Sequence, residues 1–201
     1  MSADPPPDGP GAEKEGLWSR LTAGFRNQPQ SRRDIERVLA AARAGRLLDA
    51  DEQAMLEGVM AVSDTQVRDI MIPRAQMVVI ERDADPREML EIIVESGHSR
   101  FPVIGDGRDE VVGILLAKDL LRYFVEGGDE RFHLREYLRS AVFIPVSKRL
   151  NVLLKEFRLS HNHMAIVVDE YGGVSGLLTI EDVLEEIVGE IDDEHDFEED
   201  S

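Results

Sequence analysis

Gly176, Thr179 and Asp182 stand at the spacing G-x-x-T-x-x-D, where a strand-like run gives way to the helical pattern TIEDVLEEIVGEI. A carboxylate in that place can accept two hydrogen bonds from vicinal hydroxyls, and the threonine hydroxyl adds a third polar contact. The start of a helix also favours an anionic ligand. The same spacing resembles a capping box, with Asp where Glu is usual. Spacing alone leaves both readings open, and one pair of groups can serve both. Sixty-three residues earlier the pattern returns as Gly113, Leu116 and Asp119. Leucine can neither cap nor donate a hydrogen bond. Asp119 is therefore either a charge at its helix N-terminus or a contact in a chemically incomplete site.

These residues are embedded in a longer repeat. GILLAKDLL (Gly113 to Leu121) matches GLLTIEDVL (Gly176 to Leu184), and HSRFPVI (His98 to Ile104) matches HNHMAIV (His161 to Val167), both at an offset of 63. A repeat of this length is one supersecondary unit used twice, and neither copy buries its apolar face alone. MVVIE (Met77 to Glu81) reads as a strand. Asp85, Pro86 and Glu88 supply N-cap, N1 and N3 of a helix. FPVIG and EVVGILL are strands joined by a turn at Asp106 to Asp109. A helix from about Lys118 closes the unit. VFIPV, NVLLKEFRLS, MAIVVDEYGGVSGLLT and the closing helix follow the same order, β-α-β-β-α. The fold class is α+β, and packing of the copies about a pseudo-twofold axis leaves clefts between them. The domains read as a disordered leader with a short amphipathic helix (1–30), N-terminal helices (31–63), a first repeat (64–126), a second (134–191) and an acidic tail (192–201).

Upstream, Leu17, Trp18, Leu21 and Phe25 share one helical face, which either docks on the protein itself or contacts a partner or membrane surface. Ser31 with Asp34 resembles a capping box, Gly45 can end that helix, and Asp49 can cap the next. Asp49, Asp51 and Glu52 lack the spacing of a calcium loop.

Composition narrows the function. The 201 residues carry a formal charge of −18, which makes nucleic acid a poor partner. Cysteine is absent, so disulfides, thiolate metal sites and cysteine nucleophiles are excluded. That absence fits a reducing cytoplasm. No apolar run is long enough to span a bilayer, and the Pro- and Gly-rich start lacks the core of a signal peptide. Neither a Ser-His-Asp arrangement nor a P-loop is present, so the chain is not expected to be an enzyme. The tail IDDEHDFEED offers hard oxygen ligands for magnesium, and His195 could help bind cobalt, yet such a run is ordinarily a solvated face. His161 and His163 lack an evident third ligand.

VRDIMIPR (Val67 to Arg74), HSRFPVI, GILLAKDLL, MAIVVDEYGGVSGL and TIEDVLEEIVGEI together resemble the CorC/HlyC family of magnesium and cobalt efflux proteins, which contain a tandem CBS pair, or Bateman module. The resemblance covers about Asp49 to Asp196. It implies a regulatory protein that binds an adenine nucleotide, ATP or AMP, with Mg2+ arriving on the phosphates of ATP. Thr179 and Asp182 would contact the ribose, as would Asp119 in the weaker first site. Arg100, His163 and Arg74 would face the phosphates, with Arg100 and His163 at equivalent positions of the two repeats. Adenine would lie against Ile144 and Ala165. By the same resemblance the chain forms a homodimer and acts with a membrane transporter for magnesium and cobalt. It would be cytoplasmic, with peripheral attachment at the inner membrane open. Two departures from the family are expected: the C-terminal domain common after the acidic stretch does not follow Ser201, as in either a truncated or a short form, and without the N-terminal membrane domain of many relatives the chain resembles the soluble branch. The competing expectation is an adaptor that docks on a transporter without binding nucleotide.

Overall fold

The computed structural model describes residues 29–127 and 132–189. The amphipathic segment from Leu17 to Arg26 and the tail 192–201 lie outside the described residues. The chain divides into two compact units, Met1–Gln53 and Ala54–Ser201.

In the first unit, helix α1 (Arg32–Ala44) begins at the expected capping box. The Ser31 hydroxyl accepts from the Asp34 amide at 3.3 Å, and the Asp34 carboxylate accepts from the Ser31 amide at 2.9 Å. Gly45 ends the helix, but Arg46, at φ 57°, takes the left-handed conformation. Asp49 and Glu52 cap helix α2 (Ala50–Val62) reciprocally, at 2.8 and 2.9 Å. The acidic cluster there thus serves as a cap.

The second unit contains β-α-β-β-α twice. The first copy is β2 (Ile80–Glu81), α4 (Pro86–Ser96), β3 (Arg100–Ile104), β4 (Val111–Leu116) and α5 (Ala117–Val125). The second is β5 (Phe143–Pro145), α7 (Leu150–Ser160), β6 (Met164–Val168), β7 (Val174–Thr179) and α8 (Ile180–Val188). Short helices α3 (Val67–Ile70) and α6 (Leu134–Tyr137) precede the copies, and a two-residue strand β1 (Ile72–Pro73) follows α3. In each copy the first strand runs parallel to the second, and the second antiparallel to the third. The chain leading into each copy pairs with the last strand of the other. Ile72 and Pro73 pair with Leu177 and Gly176, and Arg139 bridges Ile114. This exchange ties the repeats together about their pseudo-twofold.

Pairing registers show that the offset between copies is not constant. Phe101 pairs with Leu115 as Ala165 pairs with Leu178, and Ile80 pairs with Val103 as Ile144 pairs with Val167. The offset is therefore 64 through the first two strands and 63 after the hairpin. The hairpin loop has six residues in the first copy, 105–110, and five in the second, 169–173. Ser99 thus corresponds to His163, and Arg100 to Met164. Both Ser99 and His163 present their carbonyls to the first amide of the closing helix, at 3.0 Å each. The expected equivalence of Arg100 and His163 is corrected by one residue, because the sequence match cannot see which loop is longer.

Strand alternation sorts the core into three layers. Phe101, Val103, Leu115 and Ile80 pack under α4 and α5, with Met89, Ile93 and Leu120. Ala165, Val167, Leu178 and Ile144 pack under α7 and α8, with Leu153, Phe157 and Val183. The opposite faces meet between the sheets, where Met77, Ile114, Met164, Ile166, Val174 and Leu177 form a third cluster. Each such side chain, fully buried, contributes about 1.5–3 kcal/mol.

The close approach of β1 requires Gly176, since a Cβ there would run into the Ile72 carbonyl oxygen. Gly113 is the counterpart, with a Cβ 2.9 Å from the Arg139 oxygen but otherwise facing Leu138 side-chain atoms at 3.1 and 3.2 Å. Gly176→Ala should destabilise by about 3 kcal/mol and Gly113→Ala by about 1–2 kcal/mol. Urea denaturation checks this order, and equal effects would contradict it.

Candidate functional site

Thr179 and Asp182 do form the capping box of α8. The Thr179 hydroxyl accepts from the Asp182 amide at 3.2 Å, and Asp182 Oδ2 accepts from the Thr179 amide and hydroxyl at 2.6 and 2.7 Å. All of these bonds on the carboxylate use Oδ2. Oδ1 keeps its lone pairs for another donor. The cap and a ligand contact are therefore compatible, and the cap fixes where that oxygen sits.

A cavity of ≈ 330 Å³ opens beside this cap, within the range of small-ligand sites. Thr179, Glu181 and Asp182 form one wall. Gln76, Met77 and Val78 form another, and Gly97, His98, Ser99 and Arg100 a third; Ile72, Met164 and Leu177 make the apolar floor. Arg100 supplies permanent positive charge. Its Nη2 lies 3.0 Å from Nδ1 of His163, and its Nη1 lies 3.7 Å from Glu181. Because a guanidinium only donates, His163 Nδ1 is the acceptor here and carries no proton. The site thus offers a hydroxyl-accepting carboxylate, an apolar slot and a cation within one cleft.

Three of the sequence-expected residues come together on this lining: Thr179, Asp182 and Arg100. His163 reaches the cleft only through Arg100. Ile144 and Ala165 do not line it: they are 1% and 0% exposed, on the sheet face covered by α7 and α8. Strand parity is the reason. Met164 and Leu177 face the cleft, so their neighbours Ala165 and Leu178 face the helices. The apolar role passes to Ile72, Val78, Met164 and Leu177. Of these, Met164 and Leu177 were legible from alternation once the strand register was known. Gln76, Val78 and His98 carried no motif signal.

Arg74 also lies away from the cleft. It forms a forked pair with Asp109, at 2.5 and 2.8 Å, and donates to the Val174 carbonyl at 3.4 Å. The Arg74 guanidinium, followed by the Val174 amide, holds the Asp109 carboxyl below its ordinary 3.8. A depressed value keeps this tie intact at neutral pH and releases it only as pH falls through that lowered value.

The corresponding corner of the first copy is closed. Asp119 is 3% exposed and accepts from Arg139 Nη2 at 3.0 Å, while its Oδ1 has no hydrogen bond and faces Arg122 at 3.8 Å. Ile80 lies eight positions after Ile72, but the matching Ile144 lies only five after Arg139. The three extra residues correspond to the 3-10 turn Arg74–Gln76. With that turn, the first linker swings wide and leaves a cleft. Without it, Arg139 falls on the carboxylate.

Among the described residues, no three His, Cys, Asp or Glu side chains could together hold a metal ion. A divalent cation would fit here only as a companion of bound phosphates, with Glu181 as the nearest carboxylate to Arg100. Among the same residues, no helix is long and apolar enough to cross a membrane.

Comparison with known proteins agrees with this architecture. The CBS domain family model matches 67–126 and 134–189, and the family described as the N-terminal region of NMB0537 matches 27–62. The chain is 48% identical to the magnesium and cobalt efflux protein CorC of Vibrio cholerae, over 99% of this chain and 68% of that one. It is 50% identical to the protein of that name from Salmonella typhimurium, over 93% of this chain, and spans 64% of that relative's length. A solved structure of the CBS domain of a bacterial CNNM/CorC family Mg2+ transporter, in complex with ATP, superposes with a TM-score of 0.65 at 43% identity, covering 70% of this chain and 99% of that one.

Arg139→Ala should cost about 2 kcal/mol, because it removes the hydrogen bond to buried Asp119 and leaves it only the longer ion pair with Arg122. Adding Asp119→Leu should return part of that loss. A double variant weaker than Arg139→Ala alone, in urea denaturation, would refute the pairing as the stabilising contact.

Proposed function

The chain belongs to the CorC family of tandem CBS-domain proteins, and from that premise we propose that it is a regulatory, non-catalytic module that binds an adenine nucleotide in the cleft beside Thr179 and Asp182. The observation that carries this reading is Asp182, whose Oδ2 is committed to the cap while Oδ1 remains available beside Arg100 and an apolar slot. In this reading Oδ1 accepts from the ribose hydroxyls. The base lies between Ile72, Val78, Met164 and Leu177, and Arg100 meets the phosphates. His163 holds Arg100 in place. Asp119 and Arg74 take no part, since each is engaged by an arginine–carboxylate pair elsewhere.

The nearness of Glu181 to Arg100 favours ATP with Mg2+ over ATP alone, because a divalent ion offsets repulsion between carboxylate and polyphosphate. AMP carries less charge and needs no such ion. Binding would shift how the module pairs with a second chain or with a transporter, and so regulate magnesium and cobalt efflux at the cytoplasmic face of the inner membrane. Any such effect requires different affinity for two states.

A homodimer is supported by the closing helices. Leu121 and Val125 on α5 are exposed, and so are Leu184 and Val188 at the offset of 63 on α8. Two such stripes, one on each repeat, suit a second copy of the same module.

Calorimetric titration of ATP, with and without Mg2+, tests the reading. Micromolar binding that Thr179→Ala with Asp182→Ala abolishes in a folded protein is the expected result. No binding by the folded wild-type chain would favour the adaptor. Sedimentation should give a dimer that Leu121→Glu with Leu184→Glu weakens.

A further inference from the structure

The two length differences between the repeats meet at one place. The longer hairpin loop of the first copy, 105–110, carries Arg108 and Asp109, and the three extra linker residues are the turn Arg74–Gln76. Arg108 Nη1 donates to the Arg74 carbonyl at 2.8 Å and to the Met77 carbonyl at 3.2 Å. Asp109 grips the Arg74 guanidinium from the other side and also accepts from the Val174 amide at 2.9 Å. Backbone carbonyls at both ends of the turn are thus held by one loop, and that loop is fastened to the start of β7. The last residue of the turn and the two that follow it, Gln76 to Val78, are a wall of the cleft, whereas neither Arg108 nor Asp109 lines it. The second copy has no counterpart: its shorter loop folds on itself, with Asp169 accepting from Tyr171 and Gly173 amides at 2.9 and 2.8 Å.

We infer that Arg108 and Asp109 are positioning residues that hold the 74–78 segment at the width the cleft needs for its apolar ligand moiety. The inference rests on the nucleotide reading for its ligand, but the clamp itself does not. An unclamped wall has no other tie from the hairpin loop, so the slot for the base loosens while Arg100, on β3, stays where it is. The contacts act on the base and leave the phosphate contact alone. Loss of the clamp therefore weakens a nucleoside and its triphosphate equally.

Two measurements on the full chain test this. Hydrogen exchange at the amides of 74–78 should accelerate in Asp109→Asn and Arg108→Ala, with α4 and α8 unchanged. Binding of adenosine and of ATP should both weaken by about tenfold in these variants, whereas Arg100→Ala should weaken ATP and spare adenosine. Unchanged exchange at 74–78 would overturn the clamp. Faster exchange with unchanged adenosine affinity would overturn its role in the cleft. Selective loss of ATP in Asp109→Asn would do the same, since it would place the residue with the phosphates. A wild-type chain that binds neither ligand would overturn the nucleotide reading alone, and exchange would then decide the clamp. If Arg108→Ala melts globally, Arg108→Lys, which keeps the charge but lacks the reach and the planar fork of the guanidinium, carries the same expectations at smaller amplitude.

Discussion

The backbone of Ile72 lies directly against Gly176, and most of the second unit depends on that approach. It makes the linker of one repeat an edge strand of the other repeat's sheet. Two small sheets that would each be marginal alone are thereby tied together over a buried middle layer, one of them gaining β1 as an edge strand. The same contact fixes the start of α8, because β7 runs from Gly176 into Thr179 without a break. Position of the cap, depth of the cleft and contact between repeats are therefore one constraint. Glycine is required at this point for room, not for an unusual dihedral, since Gly176 is not among the positive-φ glycines.

Duplication makes two equivalent corners, and small length changes make them chemically different. In one, a carboxylate caps a helix with a single oxygen and keeps the other toward a cleft. In the other, leucine replaces the capping threonine, the carboxylate turns inward, and an arginine from the following linker neutralises it. A buried carboxylate without a partner is costly, so the inward turn and the arginine belong together. The asymmetry thus follows from one hydroxyl and three linker residues. It needs no difference in fold.

Charge is distributed with the same economy. A chain of net charge −18 repels anions at long range, although screening confines that field to about 8 Å at physiological salt. A phosphate-bearing ligand must find local compensation. Arg100 provides it, oriented by the His163 ring on one side and the Glu181 carboxylate on the other. Other arginines nearby are committed elsewhere: Arg74 and Arg108 to the linker turn, Arg139 to the buried carboxylate.

Residue types and short spacings suffice for the repeat, the order of elements, the caps at Ser31, Asp49, Asp85 and Thr179, and the contrast between Thr179 and Leu116. These are local properties, set by residue type and by spacings of three or four along the chain. Thr179 and Asp182 were legible for that reason, whereas Arg100 was named through the family resemblance. Long-range packing sets which strand face meets the cleft, and it puts Met164 and Leu177 on the apolar floor in place of Ile144 and Ala165. One residue of register reverses every side chain on a strand, and the register here depends on a hairpin loop one residue shorter in the second copy. Tertiary structure also decided the partners of Arg74 and Asp119, each set by where a distant loop or linker lands. Hydrogen bonds between residues 20 or 35 positions apart leave no periodic trace in a sequence.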